Sequence, residues 1–412
     1  MIDFEDIRPY HDSEVSLVLQ GLLGGNELAR ALAKFRFPGL FRIFPGIFSR
    51  LVNGMLRREL KDVRDVRGVQ VIIEKYLDKA IETTTTGLTH TGLDGLDPAK
   101  SHLFISNHRD ITMDPALVNY MLYHEGFDTV QIATGDNLMK RPLLADLMRL
   151  NKSFIVKRSL HGREKLRASQ QLSAYIHYCI DHGQSVWIAQ REGRAKDGVD
   201  KTESAIIKML HMADRGGADG LTLGASMNAL NIVPVAISYE CDPCDLFKAE
   251  ELHAIATTGK FVKDANSDVS SILNGMIGNK GHVHVTFGEP LTFTEDASAE
   301  IVAETIDAQI NANYKLHPIN YFALEKIRGD RLDLARLGEI LAVDEAQLLR
   351  KQQECMRRVE ACPPAWRPFL LKMYANPLLR QMESGFARYP VLEEPGANAL
   401  LPPVAGKAYK EQ

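Results

Sequence analysis

The sequence contains few cysteines. Five cysteines are scattered over 412 residues, and an odd, sparse set argues against a disulfide framework and for a reducing compartment. Cys241 and Cys244 form a C-x-x-C pair, but the chain has no second such pair to complete a zinc site. The pair also follows an apolar strand-like run instead of opening a helix. We therefore expect it to be neither a metal site nor a redox motif.

Long apolar segments and an excess of charge of one sign are also absent. No stretch has the ~18 uninterrupted apolar residues of a membrane-spanning helix. The start, MIDFEDIRPY, is acidic and lacks the apolar core of a signal peptide. The net charge of −4 does not suggest nucleic acid as a partner, so any anionic partner requires a local basic site. We expect a cytoplasmic protein that would act on lipid only from the membrane surface.

The first 82 residues are predicted to form a helical N-terminal region. Within it, residues 34–58 carry six basic residues and no acidic one, with five phenylalanines interleaved. Pro38 and Pro45 divide this segment into short pieces. Aromatic rings beside cationic side chains suit the headgroup zone of an anionic membrane, which predicts a membrane-surface contact. The other interpretation is a helical hairpin that packs on the main domain with its arginines facing water.

Residues 83–296 show a different pattern, in which short apolar runs alternate with helical segments. HLFIS, SFIVK and SVWIAQ are typical of buried strands, whereas residues 162–182 are typical of a long helix. This alternation predicts an α/β fold with a mostly parallel central sheet flanked by helices. Residues 297–412 are predicted to form a helical C-terminal region, and its last residues, PPVAGKAYKEQ, to be a frayed tail.

Polar clusters follow several of the predicted strands, and ligands of open α/β sheets bind at the carboxyl ends of strands. The first cluster contains His108. An imidazole titrates near neutral pH, which suits a general base, and such a base needs an acceptor to fix its tautomer. Asp110 and Asp114 can both serve as that acceptor. Asp114 directly precedes Pro115, so it is also predicted to cap a helix.

Three further clusters are cationic or contain proline. Lys157 and Arg158 follow a strand, where they form either a phosphate site or a solvated strand end. Residues 191–204, REGRAKDGVDKTES, combine cations with glycines that allow the backbone to approach a ligand closely. NIVPVAIS contains Pro234, which predicts a bulge or an edge strand.

The order of these clusters resembles the glycerolipid acyltransferase family, whose members acylate glycerol-3-phosphate or 1-acylglycerol-3-phosphate. An Asn-His-Arg…Asp block precedes strands that end in Lys-Arg and in Glu-Gly-Arg, and an Ile-Val-Pro-Val strand follows, over roughly residues 85–290. The resemblance implies that His108 removes the proton from the acceptor hydroxyl and that Asp114 orients it. The residues that it implies for substrate binding are Arg158, Glu192, Gly193, Arg194 and Lys201.

The implied reaction moves a fatty acyl group from a thioester to a hydroxyl of a glycerol-phosphate-type lipid acceptor. The donor would be acyl-CoA or acyl carrier protein, and neither a metal nor another cofactor is expected. The resemblance also implies a role in phospholipid biosynthesis and a peripheral position on the inner face of the membrane. Two alternatives stay open. One is an acceptor lipid without phosphate, and the other is a peripheral lipid-binding protein with a decayed acyltransferase site.

Two departures from the family's pattern affect these expectations. Five residues separate His108 from Asp114, one more than usual, and only one residue separates His108 from Asp110. Asp114 is the preferred partner and Asp110 the alternative. The third block reads Arg-Glu-Gly-Arg where Pro-Glu-Gly-Thr-Arg is usual, so Arg191 replaces the proline and a threonine is missing. This second departure leaves the identity of the acceptor open.

Overall fold

The computed structural model describes residues 3–215, 220–264 and 266–392, without the side chains of residues 35, 36, 38 and 40. The predicted tail at 402–412 lies outside the described residues. A seven-stranded sheet forms the centre of the fold. Its strands are β1 (Thr85–Thr91), β2 (Leu103–Ser106), β3 (Gln131–Gly135), β4 (Ser153–Val156), β5 (Val186–Ala189), β6 (Ile232–Tyr239) and β7 (Gly281–Phe287).

The helices fall into three groups along the chain. The N-terminal helices are α1 (Asp12–Gly24), α2 (Glu27–Arg36), α3 (Pro38–Ile43), α4 (Pro45–Leu60) and α5 (Val66–Thr84). Those between the strands are α6 (Met113–His124), α7 (Pro142–Leu150), α8 (Gly162–Asp181), α9 (Ser204–Leu210), α10 (Leu223–Ala229), α11 (Asp245–Thr258) and α12 (Ser267–Ile277). The C-terminal helices are α13 (Ala299–Asn313), α14 (Pro318–Arg328), α15 (Leu334–Leu341), α16 (Glu345–Ala361) and α17 (Arg367–Glu383).

The strand order across the sheet is β1-β7-β6-β2-β5-β3-β4. All neighbouring strands are parallel except β6 and β7, which are antiparallel. The predicted mostly parallel sheet is therefore confirmed. Because the carboxyl ends of β2, β3, β4, β5 and β6 lie at one edge, the polar clusters that follow these strands meet there.

Both faces of the sheet are covered, as the continuous apolar runs of its strands require. In β2, Leu103 and Ile105 face one core, which α8 and α13 complete, whereas Phe104 faces the other, which α6 completes. This alternation of successive side chains is the period-2 geometry of a strand. Helix α13 thus packs on the sheet, although it follows the predicted domain limit at residue 297.

The remaining C-terminal helices form a core of their own, which is joined to the α/β domain through the segment CDPCD at 241–245. Asp242 pairs with Lys248 inside the protein, and Asp245 pairs with Arg358 of α16. Tyr374 of α17 donates a hydrogen bond to Asp245 at 2.8 Å. All five cysteines are free. The aspartates of this segment link the two parts of the chain by polar contacts, and Cys241 packs against the C-terminal core.

Pro234 lies in a central strand, so the prediction of an edge strand was wrong. β6 is between β7 and β2, and all of its residues are buried. The pairing of β6 with β7 begins only at Val235, and the carbonyl of Pro234 accepts from the N–H of Gly288, just beyond β7. The missing N–H of proline is tolerated because it falls where the ladder with β7 has ended.

The N-terminal helices pack together and against α7, with Val52 and Leu56 of α4 in their shared core. As predicted, a new helix begins at Pro38 and at Pro45, but only α3, with 6 residues, is short, whereas α4 has 16 residues. Phe37 and Phe48 stack with their ring centroids 5.5 Å apart. Within the described part of the chain, no helix is both long and apolar enough to cross a membrane.

The segment before α1 runs along β4 at one edge of the sheet. The N–H of Ile155 donates to the carbonyl of Ile7 at 2.8 Å, and Ile7 is buried. Lys157 forms an ion pair with Asp6 of the same segment. Lys157 is therefore engaged in holding the chain's first residues, and this contact covers the edge strand.

Candidate active site

The chain leaves β2 through Asn107, which fixes the start of the site. The side-chain oxygen of this fully buried residue accepts from the N–H of Ile237 at 2.7 Å. Its amide nitrogen donates to the carbonyl of Ile237 at 3.0 Å. The asparagine side chain thus pairs with β6 as a backbone peptide would. This anchoring fixes the chain immediately before His108.

His108 and Asp114 form a hydrogen-bonded pair. The Nδ1 atom of His108 lies 2.8 Å from Oδ2 of Asp114. Since a carboxylate only accepts, Nδ1 carries the hydrogen and Nε2 is left with its lone pair. The Asp114 side chain is completely buried, whereas 14% of the His108 side chain is exposed. The arrangement is that of an oriented base that a small molecule can reach.

Three other groups donate to the Asp114 carboxylate. The backbone N–H groups of Arg109 and Asp110 lie 2.6 Å and 2.9 Å from Oδ2, and the Tyr239 hydroxyl lies 2.7 Å from Oδ1. Burial and the nearby Asp114 charge raise the pKa of Tyr239 well above its usual value, which keeps its hydroxyl a donor. Tyr239 ends β6, and the sequence analysis did not identify it. Its polar hydroxyl at the end of an apolar strand was the available signal.

Asp110, and not Asp114, caps α6. Its Oδ1 accepts from the N–H groups of Thr112 at 3.0 Å and Met113 at 2.8 Å, which satisfies donors at the helix start. The cap predicted for Asp114 is therefore wrong, because Asp114 lies inside α6 and its carboxylate accepts from His108 and from the N–H groups of Arg109 and Asp110. Burial and the Asp114 charge raise the pKa of Asp110. Its Oδ2 is buried and has no hydrogen-bond partner within the described residues.

The aromatic ring of Trp187 packs against the catalytic candidate His108. The two ring centroids are 5.9 Å apart in an edge-to-face arrangement. Trp187 lies on the neighbouring strand β5, and its Nε1 donates to the hydroxyl of Ser106 at 3.0 Å. The imidazole is thus held by a hydrogen bond on one side and by an immobilised ring on another.

The segment 191–201, hereafter the cationic loop, is bound to residues 107–112 between β2 and α6, hereafter the His108 turn. The N–H of Ala195 donates to the carbonyl of His108 at 2.9 Å. The guanidinium of the buried Arg109 donates to Asp200 at 2.6 Å and to the carbonyl of Gly198 at 3.2 Å. The first and third polar clusters of the sequence therefore form one structure, and Arg109 holds them together.

Arg194 lies next to Ala195, the residue of the cationic loop whose N–H donates to the carbonyl of His108. One guanidinium nitrogen donates to the hydroxyl of Ser271 in α12 at 3.3 Å. The other terminal nitrogen, Nη1, is buried and has no hydrogen-bond partner among the residues described. The positive charge of Arg194 acts on the buried Asp110 and opposes the rise in its pKa. Among the described residues, Arg194 is therefore a cation with an unused donor, and its charge acts on Asp110.

The other predicted binding residues are farther out. Glu192 and Lys201 are exposed, and Gly193 has a φ of +76° that favours glycine. Arg158 follows β4 and lies against Gly135 at the end of β3. β4 is three strand spacings from β2, on the order of 14 Å. The structure thus brings together His108, Asp110, Asp114 and Arg194, with Arg158 at the same edge of the sheet but at a distance.

No group of His, Cys, Asp and Glu side chains is arranged to hold a metal ion in the part of the chain that the structure describes.

Comparison with protein families, curated proteins and solved structures shows what the chain is similar to. Residues 87–238 match the family described as Acyltransferase. A glycerol-3-phosphate acyltransferase of Alteromonas mediterranea is 27% identical over 197 residues, which are 47% of this chain but only 22% of that relative. The 1-acyl-sn-glycerophosphate acyltransferase PlsC of Thermotoga maritima is 15% identical and aligns with 71% of this chain and 100% of its own, with a TM-score of 0.35.

The raised pKa of Asp110 predicts a pH-dependent cost in stability. A folded-state pKa above the unfolded value means that the folded protein is favoured with Asp110 protonated, and that this advantage is lost as pH rises through the folded pKa. The Asp110→Asn variant lacks this titration. As pH rises from about 4, where an unperturbed aspartate titrates, we expect wild type to lose stability relative to Asp110→Asn in thermal unfolding. The exposed control Asp62→Asn should follow wild type, and parallel curves for all three proteins would contradict the prediction.

Proposed function

Since residues 87–238 match the family described as Acyltransferase, we propose that the chain is an O-acyltransferase of glycerolipid metabolism. It moves a fatty acyl group from a thioester, acyl-CoA or acyl carrier protein, to a hydroxyl of a glycerol-phosphate-type acceptor. The observation that carries the proposal is the hydrogen bond of the partly exposed His108 to the buried Asp114. A decayed site would not require this pair together with the three other donors to its carboxylate.

His108 is the general base of the proposed reaction. Its Nε2 takes the proton of the acceptor hydroxyl while the oxygen attacks the thioester carbonyl. The new C–O bond forms, the C–S bond of the intermediate breaks, and the leaving sulfur receives the proton from the imidazolium. Asp114 stabilises that imidazolium through Nδ1. General-base assistance of this kind contributes ~10²–10⁴-fold to the rate.

Arg194 is the proposed contact for the acceptor phosphate. Its buried Nη1 has no partner within the described chain, and it lies in the loop that is bonded to the His108 turn. A guanidinium suits a phosphate because its donors match the phosphate oxygens. Holding the phosphate fixes the acceptor hydroxyl near the base, which removes part of the entropic barrier. Lys201 and Arg158 would add charge to the same anionic group or to the donor's phosphates.

The proposed place of action is the inner face of the membrane, which α3 and α4 contact. One side of α4 packs on its neighbours, whereas a stripe of apolar residues faces outward. The residues of this apolar stripe, Ile43, Phe44, Ile47, Leu51 and Met55, are 46–65% exposed. Residues 28–58 contain no acidic side chain, and several exposed arginines flank the stripe. The two interpretations of residues 34–58, a packed helical hairpin and a membrane-surface contact, are compatible. A packed hairpin leaves one face free for anionic lipid.

The reaction is tested by thiol release from long-chain acyl-CoA in the presence of different acceptors. Glycerol-3-phosphate or 1-acylglycerol-3-phosphate should be acylated, because Arg194 supplies a phosphate contact, and glycerol and monoacylglycerol should not. His108→Ala should reduce the rate by ~10²–10⁴-fold. Equal rates with unphosphorylated acceptors would reject the phosphate site. Full activity of a folded His108→Ala protein would reject the mechanism.

The choice of carboxylate is tested by paired substitutions. Asp114→Asn should lower kcat by about 10³-fold or more, because an amide no longer selects the required imidazole tautomer. Asp110→Asn should have a small effect, because Oδ1 of an asparagine still accepts from the start of α6. Mild effects of both substitutions on kcat would show that the His108–Asp114 pair is not catalytic.

The membrane contact is tested with vesicles. Ile47→Gln combined with Leu51→Gln should weaken sedimentation with vesicles containing phosphatidylglycerol by about tenfold or more, since each buried aliphatic side chain contributes about 2 kcal/mol. Ile340→Gln combined with Leu349→Gln removes two comparably exposed side chains from the C-terminal helices and serves as the control. Equal binding of the two variants, or equal binding of wild type to phosphatidylcholine vesicles, would contradict the proposed contact.

A further inference from the structure

The cationic loop is held by the C-terminal helix α17 as well as by the His108 turn. Gly198 of this loop is buried against α17 and has a φ of +79°. A Cβ atom at this position would overlap the carbonyl oxygen of Met373 and lie 2.9 Å from its carbonyl carbon. Only glycine permits the backbone of the loop to approach the backbone of the helix this closely.

The contact lies where α17 is interrupted by a proline. Pro377 is inside the helix, four residues after Met373. Because proline has no N–H, it cannot donate the helical hydrogen bond that the Met373 carbonyl would otherwise accept. The neighbouring Asn376 donates from its side chain to the carbonyl of Asp197 at 2.7 Å. Two consecutive loop residues, Asp197 and Gly198, thus meet the same turn of α17.

The opposite side of the same loop segment is bonded to the turn that carries the base. The Arg109 guanidinium donates to the carbonyl of Gly198 and to Asp200, and the Asn107 side chain lies 3.3 Å from Asp200. The loop is therefore fixed between the His108 turn and α17. Arg194 lies near the start of this loop. The orientation of its side chain therefore depends on the attachment of the loop to the His108 turn and on its attachment to α17.

We propose that α17, through Asn376 and the Met373–Pro377 turn, is a positioning element that fixes the cationic loop and thereby the phosphate contact of Arg194. Asn376 is a positioning residue, because it acts through Asp197 and touches no reacting atom. The kinetic consequence rests on the proposed acyl transfer to a phosphorylated acceptor, whereas the attachment of the loop does not. This assigns the C-terminal helices a role in acceptor recognition.

The test compares two asparagines that link α17 to the rest of the chain. Asn376→Ala removes the bond to the cationic loop. Asn311→Ala removes a similar bond, from Asn311 of α13 to the carbonyl of Arg380 and the hydroxyl of Ser384, and leaves the loop untouched. Asn376→Ala should raise KM for the phosphorylated acceptor about fivefold, the effect of one neutral hydrogen bond, with kcat and the KM for acyl-CoA unchanged. Asn311→Ala should leave all three constants unchanged.

Amide hydrogen exchange tests the attachment of the cationic loop to α17 separately from the effect of that attachment on acceptor binding. In Asn376→Ala, the peptide that covers residues 191–201 should exchange faster than in wild type and in Asn311→Ala. Exchange equal to that of Asn311→Ala would overturn the attachment, whether or not the protein transfers acyl groups. Faster exchange with an unchanged acceptor KM would overturn the positioning role. A wild-type protein without acyl transfer would reject the proposed function, and the exchange of the loop would still decide whether α17 holds it.

Discussion

The buried carboxylate of Asp114 is the group on which the site depends. Its two oxygens accept from the imidazole of His108, two backbone N–H groups and the hydroxyl of Tyr239. A carboxylate removed from water without such donors would cost several kcal/mol. Its burial therefore requires the turn after β2, the orientation of the imidazole and the end of β6 to be correct at the same time. The geometry of the His108–Asp114 pair therefore depends on the correct folding of this edge of the sheet.

From this centre, the contacts extend to parts of the chain that are distant in sequence. Arg109 joins the His108 turn to the cationic loop by donating to the carbonyl of Gly198. Asn376 of α17 donates to the carbonyl of Asp197 in the same loop. The helices after residue 297 are accordingly not a separate appendage. α13 completes a core of the sheet, Arg358 of α16 pairs with Asp245, and Tyr374 of α17 donates to the same carboxylate. The α/β architecture supplies the common edge, and the added helices hold its loops in place.

The sequence patterns predicted the parts of this structure that depend on local physical chemistry. Strands β2 to β7 were recognisable because their apolar runs are buried, and the first and third polar clusters were expected to meet because they follow strands of one sheet. The choice between Asp110 and Asp114 depended on the shape of a turn, which spacing does not define. Tyr239 lies 125 residues from Asp114, and such a hydrogen bond leaves no periodic signal. Helices α11 and α12, and the position of Pro234 beyond the end of β7, likewise depend on tertiary contacts.

The segment before α1 protects the edge strand β4 from pairing with a strand of another copy of the chain. A parallel sheet ends in a strand whose outer N–H and C=O groups are open to any other extended chain. At β4 these groups face Ile7, whose carbonyl accepts from Ile155, and Asp6 holds Lys157 beside it. A shortened chain that began at α1 would present this strand as a template for strand addition. Its loss of function would then arise through self-association, with the distant His108 turn still correctly built.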